Sequence, residues 1–275
     1  MPKSTFRKLC TVLFLLILLA MGCPANGQPI SDMPTLAGSS TPINKPHTAS
    51  AADTVVSDDA DDAAPAVPDP LYRWNKFWFG FNDFFYARFM RPLANGYTYI
   101  MPKPARTGLS NAYNNFTFPI RFVNALLQLN FTKASREFGR FMINSTFGIG
   151  GLMDLAKSDP NLQPGNEDFG QTLGHYGMGD GFYIVWPFIG PSTLRDSIGL
   201  AGDAAANPLT WLFGSWAIPH DAPPWYWAYI IKGGDVFNRL PDTLENYDAV
   251  TKPAIEPYTA VKDAYIQYRS NAISN

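Results

Sequence analysis

The 275-residue sequence has few of the residues that metal, hydrolytic and nucleic-acid sites require. It contains 2 Cys and 3 His, with no CxxC or HExxH pattern, so we expect no metal site and no cofactor. It also lacks the GxSxG pentapeptide of lipases and esterases. From residue 69 onward, 17 basic residues balance 17 acidic ones, and a neutral body lacks the field that attracts phosphate backbones. These absences argue against a metalloenzyme and a nucleic-acid-binding protein.

A hydrolytic triad can still be drawn from Ser192, His175 and either Asp168 or Asp180. Any chain of this length offers such a trio by chance, so a structural role for His175 is the simpler interpretation. An enzyme that acts on lipids therefore stays an alternative without a supporting motif.

The N-terminus has the pattern of a bacterial lipoprotein signal. Three basic residues precede an apolar stretch from Leu9 to Met21, which as a helix would span about 20 Å and is too short for a bilayer core. The stretch ends in the lipobox-like pentapeptide Leu19 to Cys23, in which the Cys thiol would be acylated before cleavage in front of it. We expect a signal peptide over residues 1–22 and a palmitate-bearing anchor at Cys23; an unmodified thiol is the alternative.

A tether follows the anchor. Residues 24–68 contain seven Pro, six Asp and no aromatic residue, so they cannot bury enough apolar surface to offset the entropy of ordering them. We therefore interpret residues 23–68 as the lipidated Cys and a disordered tether, with an end-to-end distance of roughly 40 Å. Pro24 stands where an Asp would indicate retention at the inner membrane, so an outer-membrane destination is expected.

The body, residues 69–275, holds 38 of the 40 aromatic residues. Helical periodicity occurs over 69–90, Pro119–Leu129, Thr132–Phe147 and around Tyr258–Tyr268, whereas one short strand is predicted at Tyr183–Trp186. No run of 18 apolar residues occurs here, so no simple membrane-spanning helix is expected. The fold class is mainly α with long irregular connections.

The helix over 69–90 should begin with Asp69 as its cap, and it carries two apolar faces. Asn75 and Asn82, and Lys76 and Asp83, form the polar seam between the two faces. Such a helix is either buried in the core or exposed on one side to lipid or a partner. Arg88, inside the wider stripe, is a candidate contact for a lipid headgroup or a salt bridge, or it only snorkels. The wider stripe comprises Trp74, Phe77, Trp78, Phe81, Phe84, Phe85 and Phe89, and the second face comprises Phe79, Tyr86 and Met90.

Several stretches resemble the MlaA (VacJ) family of outer-membrane lipoproteins of Gram-negative bacteria. The most specific is Phe169 to Gly177 (FGQTLGHYG), and the similarity covers about residues 69–270. The lipobox, the long tether and the Trp-rich stretch Trp211 to Trp227 depart from the family pattern. The other matching stretches are Asp69 to Asn82, Arg91 to Ala94, Met101 to Asn111, Phe138 to Thr146, Gly148 to Asp154 and Pro187 to Asp196.

The resemblance implies a helical ring or disc embedded in the periplasmic-facing leaflet of the outer membrane, beside a trimeric porin. An amphipathic pore would let mislocalised phospholipid pass to a soluble periplasmic carrier for retrograde transport, which maintains lipid asymmetry without catalysis. A porin-associated structural lipoprotein without transport activity is the alternative.

The resemblance also suggests residue roles. The aromatic residues Trp74, Phe77, Trp78, Phe81, Phe84 and Phe85 would face membrane or core, and His175, Arg195 and Asp196 would fix loops. The Gly148–Gly151 turn, with Gly148, Gly150 and Gly151, is a break between amphipathic segments that could gate the pore.

Overall fold

The computed structural model describes residues 67–213 and 226–274. The predicted signal peptide, Cys23, the predicted tether up to residue 66 and part of the Trp-rich stretch lie outside these residues. Within them the chain forms ten α-helices and a two-stranded sheet. The helices are α1 (Tyr72–Phe85), α2 (Arg91–Ile100), α3 (Lys103–Phe116), α4 (Phe118–Leu127), α5 (Phe131–Thr146), α6 (Phe169–His175), α7 (Leu194–Ala206), α8 (Pro208–Phe213), α9 (Tyr226–Thr251) and α10 (Pro257–Ser274). The strands are β1 (Tyr183–Trp186) and β2 (Gly190–Thr193), which pair antiparallel.

The mainly α prediction is confirmed, and three predicted segments agree with α4, α5 and β1 to within two residues at each end. None of the helices in the described ranges is long and apolar enough to cross a membrane. The described part of the body includes Val67, two residues before the expected start of the body at Asp69. Val67 is buried, and the Pro68 carbonyl accepts a hydrogen bond from the Tyr183 N–H at 3.0 Å.

Two asparagine side chains fasten α1 to strand β1. The Asn75 amide donates to the Tyr183 carbonyl at 2.9 Å, and its Oδ1 accepts from the Val185 N–H at 2.8 Å. Seven residues further along α1, Asn82 makes the same kind of contacts with the Trp186 carbonyl and with the Phe188 N–H just beyond β1, at 3.0 and 2.8 Å. The part of the predicted polar seam formed by Asn75 and Asn82 is therefore buried against backbone groups that would otherwise lack partners, whereas Lys76 and Asp83 of the same seam are exposed.

Asp69 does not cap α1, so that prediction is wrong. Leu71 occupies the cap position and makes no side-chain cap bond. The Asp69 carboxylate instead accepts from Asn75 Nδ2 at 2.8 Å and from the Tyr258 hydroxyl at 2.5 Å. A hydrogen bond between Asp69 and Tyr258 of α10 takes the place of the local cap, because the Tyr258 hydroxyl lies within bonding distance of the Asp69 carboxylate.

The long helical segment from α1 to α2 passes through a π-helical turn at Tyr86–Met90. Such turns insert a bulge without ending the helix and often occur at functional sites. After the turn, Arg91 pairs with both carboxylate oxygens of Asp248, which fastens α2 to α9. Ala94 of α2 is packed in one small apolar cluster with Leu240 and Leu244 of α9.

The helices α6, α7 and α10 meet in a buried ion network. Arg269 donates to Asp168 at 2.5 and 2.9 Å and to Asp196 at 2.7 Å. Although burial opposes ionisation, Arg269 lowers the pKa of Asp196 below its usual value. The backbones of α6 and α7 approach so closely that a Cβ at Gly199 would lie 2.5 Å from the Gly170 nitrogen. The network fixes the region of the most specific sequence motif.

Polar and apolar residues are distributed in the reverse of the usual order for a soluble domain. Among the described residues, buried polar and charged residues outnumber buried hydrophobic ones, and no Phe or Trp is buried. Large apolar side chains such as Phe77, Phe131 and Phe147 are instead 64 %, 67 % and 71 % exposed. Large exposed apolar side chains in this number are typical of proteins that contact a membrane or a partner.

Candidate functional site

A cavity of about 840 Å³ opens in the middle of the body. Its wall is assembled from α1 and the π turn, α3, α4, α5, the hairpin between β1 and β2, α9 and α10. These elements are distant in the sequence, so the cavity exists only because the helices are arranged around it.

One side of the cavity is aromatic and aliphatic. The Phe188 ring lies 5.0 Å from the Phe85 ring and 5.4 Å from the Phe81 ring, centre to centre. The Tyr86 hydroxyl donates to the Phe188 carbonyl at 3.3 Å, and burial raises the pKa of Tyr86 to about 12. Phe188 has a positive φ of 65°, so the hairpin holds this apolar residue in a strained conformation beside the π turn. Phe79, Met90, Val236 and Leu240 extend the same apolar surface.

Another part of the wall is rich in amides and in paired charges. Arg140 donates to Asp154 at 2.7 Å and also to the Leu162 carbonyl, while Asn144 donates to the other Asp154 oxygen at 2.8 Å. The Asn115 amide donates to Ser145 Oγ at 2.8 Å. Asn111, Asn114 and Asn166 add further amide groups to this side. The wall thus combines hydrogen-bonding groups with apolar surface, which suits an amphipathic ligand.

Helix α9 contributes a charge pair to the wall. Arg239 Nε lies 2.9 and 2.8 Å from the two oxygens of Asp235, and its guanidinium also donates to Asn114 Oδ1 at 2.8 Å. Burial raises the pKa of Asp235, and the adjacent Arg239 opposes that shift.

A model of the MlaA lipoprotein family matches residues 67–272. The chain belongs to the MlaA lipoprotein family. It is 36% identical over 210 residues to the intermembrane phospholipid transport system lipoprotein MlaA of Shigella flexneri and 35% identical to that of Escherichia coli (strain K12). Each match covers 75% of this chain and 78% of the relative. A solved structure from work on the "structural basis for maintenance of bacterial outer membrane lipid asymmetry" matches with a TM-score of 0.62 and 31% identity, over 75% of this chain and 99% of that one.

Within this MlaA fold, the predicted aromatic stripe of α1 divides into two groups. Trp74, Phe77 and Phe84 are exposed. Trp78, Phe81 and Phe85 are half-buried and pack edge-on or stacked against neighbouring rings. A helix buried on all sides is therefore excluded, whereas contact with lipid stays a prediction.

Arg88 lies in the π turn and is exposed. No ion pair of Arg88 is formed with any residue in the described ranges. Its contact with a headgroup stays a prediction.

The Gly148–Gly151 turn is tightly packed at both ends. A Cβ at Gly148 would lie 2.2 Å from the Met153 carbonyl oxygen, and one at Gly151 would lie 2.5 Å from Asn115 Cβ. Gly150 has a positive φ of 66° but open space around it. Because Asn115 also lines the cavity, the turn adjoins the wall, and its role as a gate stays a prediction.

The residues of the hypothetical triad each have other partners. Ser192 is buried and hydrogen-bonds Ser197 and the Thr193 carbonyl, at 3.1 and 3.3 Å. Asp168 is held by Arg269, and the exposed His175 packs against the Tyr176 ring. Arg195 forms an ion pair with Asp180 at 2.7 Å, consistent with the structural role expected of it.

Sequence reasoning did not find helix α9, which supplies more of the cavity wall than any single predicted helix. Gly233, Gly234 and Pro241 interrupt its pattern and indicate breaks, yet the helix continues through all three. The spacing of Asp235 and Arg239, four residues apart, was a usable signal for a helix in this segment.

Proposed function

We propose that this protein is the outer-membrane component of an intermembrane phospholipid transport system. It removes mislocalised phospholipids from the outer leaflet and passes them to a soluble periplasmic carrier, without catalysing a covalent reaction. The observation that carries this proposal is the amphipathic cavity, whose apolar and amide-rich sides correspond to the two ends of a phospholipid. The curated relatives with transport names support it.

The exposed aromatic residues support a location of the body in the periplasmic-facing leaflet. A helix lying in one leaflet satisfies its backbone hydrogen bonds internally, so Trp74, Phe77 and Phe84 can contact acyl chains without a backbone penalty. An acylated Cys23 would add about 0.8 kcal/mol per buried CH₂ group. In this arrangement Arg88 contacts headgroups at the leaflet surface, and the Gly148–Gly151 turn controls access to the cavity. A trimeric porin beside the disc would complete the assembly.

The amount of phospholipid in the outer leaflet tests the proposal in cells. Deletion of the protein should raise it, as read from lipid A palmitoylation by an outer-membrane acyltransferase. Wild-type protein should restore the original level, and Cys23→Ala should not. An unchanged level after deletion would favour a structural, porin-associated lipoprotein instead.

A pair of valine substitutions tests whether the cavity is the route. Val236 lines the cavity and is 43 % exposed there, so Val236→Trp should obstruct it and abolish complementation. Val123, on α4, is 38 % exposed and does not line the cavity, so Val123→Trp is the matched control and should complement fully. Equal complementation by the two variants, at equal abundance in the membrane, would contradict transport through this cavity.

A further inference from the structure

The charges on the cavity wall are balanced. Five basic and four acidic residues of the described chain line it. Most are tied to a neighbour of opposite sign, as in Arg140 with Asp154 at 2.7 Å and Arg121 with Glu137 at 2.8 Å. A wall that selected anionic groups would carry a clear excess of positive charge. The balance indicates a ligand that itself carries both signs.

In the described ranges two charge pairs have both members on the cavity wall, Arg140 with Asp154 and Arg239 with Asp235 on α9, and the α9 pair has the more exposed guanidinium. Asp235 and Arg239 lie one helical turn apart and both line it, with side chains 11 % and 22 % exposed. Arg239 uses Nε for Asp235 and Nη2 for Asn114 and the Ser110 carbonyl. No residue in the described ranges accepts a hydrogen bond from Nη1, so this nitrogen keeps its donors for a ligand.

A carboxylate beside a guanidinium complements a zwitterionic headgroup. The guanidinium N–H groups would donate to the phosphate, and the carboxylate would accept from the ammonium, each through a charge-assisted hydrogen bond. An anionic headgroup such as phosphatidylglycerol would bring its phosphate beside Asp235 without an ammonium to compensate for the repulsion.

The apolar surface that follows on α9 lies where acyl chains would begin. Leu240 and Leu244 are one and five residues beyond Arg239, so Leu244 is about 7.5 Å further along the helix axis. Tyr86 and Met90 pack against this cluster from the π turn and also line the cavity. Headgroup and chain sites therefore adjoin along one helix.

We propose that Asp235 and Arg239 form a headgroup subsite that selects zwitterionic phospholipids, of the phosphatidylethanolamine type, over anionic ones. The inference rests on the proposed function, since it names the lipid class that the same cavity takes up.

The test uses full-length protein purified in mild detergent and mixed with equimolar phosphatidylethanolamine and phosphatidylglycerol. Bound lipid is quantified by mass spectrometry after the protein is recovered. Lipid that Val236→Trp still retains is attributed to the outer surface and subtracted. Wild type should hold phosphatidylethanolamine in excess, and Asp235→Asn, which keeps the shape but removes the charge, should lower the ratio by about fivefold.

The matched control is Asp248→Asn. Asp248 lies on the same helix and pairs with Arg91 and Lys252, but it does not line the cavity. This variant should keep the wild-type ratio, and both variants should bind the same total amount of lipid. A wild-type ratio near one, or an equal change in both variants, would overturn the subsite. A wild type that takes up no cavity lipid at all would overturn the proposed function as well.

Discussion

At the scale of single residues, the buried Asp203 makes folding depend on pH. Its carboxylate accepts from the Phe169 N–H at 2.9 Å and from Asn124 Nδ2 at 3.0 Å. Burial, with the nearby Asp168 charge, raises the pKa of Asp203 from 3.8 to about 7. In the unfolded chain this carboxyl group ionises near pH 4. The free energy of unfolding therefore falls as the pH rises from about 4 to 7, and this group causes no further loss above pH 7.

Asp203→Asn should remove this dependence, because the amide resembles the protonated acid and keeps an acceptor for both donors. Relative to wild type, the variant should gain on the order of 2 kcal/mol of unfolding free energy between about pH 4 and pH 7. Unfolding in mild detergent at several pH values measures the difference. Asp263→Asn, at an exposed position on α10, is the control and should show no trend. If the difference in unfolding free energy between Asp203→Asn and wild type does not change with pH, Asp203 is ionised in the folded protein over this whole pH range.

At the scale of secondary-structure elements, the contact between α1 and β1 combines asparagine amides with the packing of Trp78 and Phe79 against the cluster that contains Tyr183 and Val185. Asn75→Ala would leave the Tyr183 carbonyl and the Val185 N–H without partners in a fully buried position. We expect a loss of about 3 kcal/mol in unfolding free energy, measured by urea unfolding in detergent. Asn95→Ala on α2, where the side chain is exposed, should change it by less than about 0.5 kcal/mol. A similar loss of unfolding free energy in both variants would mean that the Asn75 amide does not hold β1 in place.

Elements with regular apolar spacing could be predicted from the sequence, and those fixed by distant contacts could not. The ends of α5 follow directly from its periodicity, and Tyr258 and Val261 on α10 are buried as their spacing indicates. Strand β2 contains Gly190 and Pro191 and becomes a strand only because β1 pairs with it. The π turn carries no local signal, since its residues continue the pattern of α1.

At the scale of the whole molecule, the sequence indicated an aromatic, neutral body but not how its residues surround a cavity. Asn114 on α3 and Arg239 on α9 are 125 residues apart and meet only in the folded chain. The periodicity predicted a second apolar partner for α1, because a helix with two apolar faces needs one, and contact of its exposed aromatic residues with lipid stays a prediction. The periodicity could not show which face of α1 the rest of the protein covers. That face is determined by the hydrogen bonds of Asn75 and Asn82 to the chain at β1.

The distribution of apolar residues predicts that the body binds membranes without its lipid anchor. Anchor-free protein carrying Cys23→Ser should float with phospholipid vesicles in a density gradient. Adding Phe77→Glu should lower the partition coefficient by at least about tenfold, because an exposed ring is replaced by a charge at the proposed membrane surface. Gln267→Glu adds the same charge at an exposed position on α10 and should leave the partition coefficient unchanged. If the two substitutions act equally, the loss is electrostatic and the aromatic stripe of α1 is not the surface that enters the leaflet.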